Sequence, residues 1–171
     1  MRNTKATLLC LFLVLIVSLC GCSSAAPGGM EVSEGEPMEI TAFTFAHRGV
    51  SAEDCYTYTA EASEGGTRLL LSFISGNYTD EFMVEEPILQ KLGEIAGKYR
   101  LDLWNGFDKT KSNVSDGSGF TLSITLADGS EIYAHGSNAF PDRYQEAKGE
   151  ITAAFDELIS AYSSVYAELY A

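Results

Sequence analysis

His47 and His135 are the only two histidines of the chain, and no other unperturbed side chain changes charge near neutral pH. Acid–base catalysis would therefore call on one of them, set beside a carboxylate or a serine in a cleft. His47-Arg48 stands near Glu53-Asp54, a cluster that a surface ion pair explains as well. The chain has no H-E-x-x-H pair and no Cys/His cluster at metal spacing. It has no G-x-S-x-G, S-x-x-K or Walker-type loop, and no calcium-loop spacing. The expectation is a non-catalytic protein that needs no metal and no cofactor.

Binding chemistry is better represented. Tyr133, His135, Ser137 and Asn138 close one strand, and Trp104 and Asn105 stand upstream. Together they offer stacking surface with neutral donors and acceptors, a mix suited to a sugar, a peptide end or a protein loop. Trp104, Asn105, Tyr133, His135 and Asn138 are accordingly the candidate ligand-binding residues. The same residues have structural uses, since Asn and Ser after a strand bond nearby backbone, and Trp anchors cores. Cys55, alone in the expected mature domain, reads as a small hydrophobe rather than a nucleophile.

The elements that must position these groups are legible in outline. Phe120, Leu122, Ile124 and Leu126 alternate with Thr121, Ser123 and Thr125, the period of a strand with one buried face. Asp128-Gly129 suits a two-residue hairpin turn, and Glu131 to His135 returns. Ile40–His47 and Cys55–Ala62 read as further strands, and Thr67–Ser75 as a central strand or one covered on both faces. A polar link follows it. Ile88, Leu92, Ile95 and Tyr99 recur at helical spacing, although Gly93 and Gly97 weaken that helix by roughly 1 kcal/mol each relative to Ala. Leu101–Phe107 reads as a short extended segment. Tyr144, Ala147, Ile151, Phe155, Leu158 and Tyr162 trace a second helical stripe. The fold class is α+β, an antiparallel sheet of about four to five strands with both helices on one face. Two ββα units are one way to divide it, with Asn77-Tyr78 in the first matching the Asn138 region of the second.

The start of the chain carries an address. Arg2 and Lys5 precede the apolar run Leu8–Leu19, the plan of an export signal, and the run falls short of a comfortable span of about 20 residues. Leu19-Cys20-Gly21-Cys22 resembles a bacterial lipobox. That resemblance implies cleavage before Cys22 and attachment of a diacylglycerol to its thiol. The domains expected are a signal peptide at 1–21, a flexible tether at 22–38 and one α+β domain at 39–171. Cleavage removes Arg2 and Lys5 and no acid. Eleven Lys+Arg less these two, against 24 Asp+Glu, leaves a net charge of −15 on 150 residues. A body that acidic is repelled by nucleic acid and by anionic headgroups.

The run from the Asp-Gly hairpin through AHGSNAFPDRY resembles uncharacterised small lipoproteins of gram-positive anaerobes, a likeness that brings location and no activity. The expected protein is a binding or interaction module of the cell envelope. Its lipid on Cys22 would hold it to the membrane on the extracytoplasmic side. Its partner would be an envelope protein or glycan, and a small-ligand receptor for a sugar or peptide is the alternative. An envelope enzyme of unknown class is the remaining one.

Overall fold

The computed structural model describes residues 33–75, 77–85, 87–112 and 117–169; the expected export signal and lipobox, with Cys22, lie outside the described residues. The strands are β1 Ile40–Arg48, β2 Cys55–Ser63, β3 Gly66–Phe73, β4 Tyr78–Val84, β5 Asp108–Thr110, β6 Gly119–Leu126 and β7 Glu131–Ser137. The helices are α1 Ile88–Tyr99 and α2 Tyr144–Leu169. The strands form one sheet in the order β4-β3-β2-β1-β6-β7-β5. Every neighbouring pair is antiparallel except β5 and β7, which run parallel.

Side-chain alternation decides which face is buried. Phe43 and Phe45 of β1 stand opposite Ala60 and Tyr58 of β2 and opposite Ile124 and Leu122 of β6. All six are buried, and they share one cluster with Leu92 and Ala96 of α1 and with Ile151 and Phe155 of α2. The Tyr58 ring stacks on Phe155 at 4.7 Å. Both helices thus cover the same face, and the other face carries no layer of the described residues. Each large apolar side chain taken out of water here contributes roughly 1.5–3 kcal/mol before entropy is counted.

The sheet has seven strands instead of four or five. The two that the pattern hid are its edges. Tyr78–Val84, expected as a polar link, is the edge strand β4, with Thr79, Glu81 and Met83 exposed. Charged side chains on an edge discourage pairing with another chain, so an edge reads as a loop. β5 has three residues, all exposed, too few to show any period. Because β4 intervenes between β3 and α1, the first half of the chain is not a simple ββα unit. β3 lies second from the edge, with Thr67, Leu69 and Leu71 buried and Leu70 only half-buried. It is covered on one face.

Leu101–Phe107 is not extended. Arg100 ends α1 in the left-handed region at φ 54°, and Leu101–Trp104 then forms a 3-10 turn. Three residues per turn put Leu101 and Trp104 on one side. Both are buried, while Leu103 is exposed. The β6–β7 connection is also wider than a two-residue turn. Gly129 N–H donates to the Leu126 carbonyl, and of Asp128 and Gly129 only Gly129, at φ 82°, takes positive φ. That is the longer hairpin loop with a single left-handed residue.

The two helical glycines turn out to be a docking strip. Gly35 N–H donates to the Gly97 carbonyl at 2.9 Å and Met38 N–H to the Gly93 carbonyl at 3.1 Å. A Cβ on Gly93 would sit 2.1 Å from the Met38 oxygen, and one on Gly97 2.2 Å from the Glu36 oxygen. Residues 35–38, expected as the end of the tether, thus run along α1.

Candidate functional site

The five residues chosen from sequence divide between two sides of the sheet. Trp104 is buried on the helix side, 6.0 Å from the rings of both Phe120 and Tyr144, so it cannot act as an exposed plate. Asn105 is a backbone cap, its Oδ1 accepting the Tyr133 N–H at 3.0 Å. Asn138 holds a left-handed turn at φ 54° and donates from Nδ2 to the Lys111 carbonyl. Tyr133 and His135 remain. By strand parity both stand on the uncovered face, Tyr133 half exposed and His135 paired through Nδ1 with Asp108 Oδ1 at 3.2 Å. Of the expected patch, the structure brings these two together on that face.

What surrounds them is a surface of hydroxyls. Pairing places Thr57, Ala46, Thr121 and His135 side by side across β2, β1, β6 and β7. The next row holds Thr59, Thr44, Ser123 and Tyr133. Thr44 and Thr59 share a hydrogen bond at 3.2 Å, and Ser72 and Thr79 one at 2.8 Å. Formal charge is kept to the margins, where Arg68 bridges Glu61 and Glu81. The first row dips into a concavity of about 240 Å³ bordered by Arg48, Thr57, Ile74, Thr121 and His135. The short Ala46 and the missing side chain of Gly119 make the dip. Alternating strand residues signalled a Thr/Ser face, but only the strand order shows which hydroxyls are neighbours.

On the helix side, sequence reasoning missed a buried polar chain. His47 Nδ1 lies 3.0 Å from the Tyr144 hydroxyl, and Lys148 Nζ lies 2.9 Å from His47 Nε2. Burial, and then the positive charge of Lys148, holds His47 below its usual pKa. Burial likewise lowers Lys148 and raises the Tyr144 phenol. Each group disfavours its charged form because water is excluded. An ammonium donating to Nε2 leaves the Nδ1 proton for the Tyr144 oxygen, so one tautomer satisfies all three groups. With both ring nitrogens engaged, His47 has none free for a substrate. A second concavity, of about 280 Å³, lies outside Trp104 between Phe107, Phe140 and Arg143; the Arg143 guanidinium is already spent over the Tyr99 ring at 4.6 Å.

Among the described residues no group of three or more His, Cys, Asp and Glu side chains could hold a metal ion. None of the described helices is long and apolar enough to cross a membrane. No protein-family model, curated protein or solved structure matches the chain.

Proposed function

We propose that this chain is a lipid-anchored, extracytoplasmic binding module, non-catalytic, whose uncovered sheet face takes an envelope glycan. One observation carries the reading: a seven-stranded sheet has both helices on one face and a continuous field of Thr and Ser hydroxyls, with Tyr133, on the other. Hydroxyls that donate and accept in either direction suit a polyhydroxylated ligand, and an exposed phenol ring gives a sugar an apolar face to stack on. The central rows carry no formal charge, which argues against a strongly charged protein partner there.

The face is broad and its dip is shallow. Enclosed small-ligand pockets run to about 300–1,000 Å³ and bury most of the ligand, so the geometry favours a chain lying across strands over a captured monosaccharide. The anchor on Cys22 and the extracytoplasmic side rest on the residues of the signal and lipobox.

The test uses the full chain in detergent micelles, passed over columns of immobilised cell-wall polysaccharide. Retention that soluble oligosaccharide reverses is the expected result. Free passage through every glycan column, with a protein captured instead by crosslinking on intact cells, would overturn the glycan reading.

A further inference from the structure

We infer that the concavity at Ala46 is an anion subsite for a carboxylated or phosphorylated sugar, with Arg48 as the group that selects it; this rests on the glycan reading. The chain carries 11 Lys+Arg against 24 Asp+Glu. Lys109 lies over the Phe107 ring at 5.1 Å, and of the described Lys and Arg residues, Lys111 included, Arg48 is the one that borders this concavity. Arg68, Lys91, Lys98 and Arg100 each hold a carboxylate. Lys148 is bound to His47, and Arg143 to a backbone carbonyl and a ring. The guanidinium of Arg48 has no such partner among the described residues, and the side chain is exposed. Nor does it meet Glu53 or Asp54 in the ion pair that their closeness in sequence suggested.

Its guanidinium lies beside a glycine. Arg48 is paired in register with Gly119, and a guanidinium nitrogen passes 3.5 Å from where a Cβ on Gly119 would stand. The tight approach at this position is to the Gly136 carbonyl oxygen, which a Cβ would meet at 2.9 Å, while the guanidinium would be in ordinary contact. Arg48 borders the dip together with Thr57, Thr121 and His135. Asp108 takes Nδ1 of His135, which leaves Nε2 as the ring nitrogen available to a ligand hydroxyl. A guanidinium grips a carboxylate or phosphate through two parallel N–H bonds. The two threonines and His135 then supply the hydroxyl-matching groups that an acidic sugar needs and a bare anion does not.

The overall negative charge does not defeat such a site. At 0.1 M ionic strength charges more than about 10 Å apart are largely screened, while a bidentate contact acts near 3 Å. Asp108, the carboxylate beside the lining residue His135, is engaged by its Nδ1 at 3.2 Å.

Titration calorimetry on the full chain in detergent, with amide chemical shifts followed in parallel, tests this with three probes. They are a galacturonic acid trimer, N-acetylglucosamine 1-phosphate and a neutral N-acetylglucosamine trimer. The expected result is at least tenfold tighter binding of an acidic probe than of the neutral one, with shifts at Thr57, Thr121 and His135. Arg48→Ala should erase that preference without lowering the melting temperature, and Arg48→Lys should keep part of it. Preference for the trimer acid marks a carboxylate site, and preference for the phosphate a phosphate site. Equal binding of neutral and acidic probes, unchanged in Arg48→Ala, would overturn the anion subsite and leave the glycan reading standing. Binding of none of the three probes would overturn the anion subsite, and the polysaccharide columns then decide the glycan reading separately. Acidic preference with shifts confined to residues away from β1, β2, β6 and β7 would also overturn the subsite.

Discussion

At the scale of single residues, His47 and Lys148 are basic groups whose protonation the fold opposes. Burial and the neighbouring ammonium hold His47 below its usual pKa. As pH falls, the unfolded chain takes up that proton first, so the site's contribution is whole above about pH 6.5 and is lost as pH drops below it toward the folded pKa. Urea midpoints measured from pH 7.5 to 5 should fall on the acid side, and Lys148→Met, which removes one cause of the shift, should flatten the slope. Identical slopes in the two proteins would exclude the coupling. His47→Ala leaves the Tyr144 hydroxyl and the Lys148 amine without their shared partner and should cost roughly 2–3 kcal/mol at pH 7. Part of this cluster was legible. His47 follows Phe43 and Phe45 at strand parity, which predicts an inward side chain, and Tyr144 and Lys148 are four apart on a helix. What joins them is a separation of 97 residues in sequence, which local pattern does not span.

At the scale of elements, two predictions run against local propensity. Alanine in place of a mid-helix glycine ordinarily stabilises by about 1 kcal/mol. Gly97→Ala should instead destabilise by roughly 1–3 kcal/mol, because its Cβ would meet the Glu36 carbonyl and overpacking costs that much. Chemical denaturation gives the sign, and faster hydrogen exchange at Gly35 and Met38 would locate the damage. A stabilised Gly97→Ala would mean that residues 35–38 do not dock on α1. The 3-10 turn makes the second prediction. With Trp104 buried, its fluorescence should be blue-shifted and resist acrylamide, and Trp104→Ala should cost about 3–5 kcal/mol. Emission like that of free tryptophan would restore it to the exposed patch. The long, periodic elements were readable because a buried stripe writes itself as a period. β4 and β5 were not, since an edge strand must look polar to stay unpaired. In sequence the glycines of α1 look like a weakness because their reason is a backbone crossing from elsewhere in the chain.

At the scale of the whole molecule, the sheet buries its core against the helices on one face and leaves the other for the proposed glycan. The helix side holds the large buried residues Phe43, Phe45, Leu122, Ile151 and Phe155, so substitutions there act on folding. The open side contributes hydroxyl pairs and marginal ion bridges, each worth little to stability at such exposure. Ser123, between Thr44 and Tyr133 in register, is the place to test that division. Ser123→Glu puts a carboxylate in the middle of an uncharged row. Like other surface changes on a half-buried strand face, it should alter stability by no more than about 1 kcal/mol. Glycan retention should nevertheless fall at least tenfold, a loss of about 1.4 kcal/mol or more in binding, since a buried unpaired carboxylate would face the ligand. Thermal melts and column retention on the same preparation read the two quantities together. Loss of both would make the open face part of the folding core, and loss of neither would move the binding surface off the sheet.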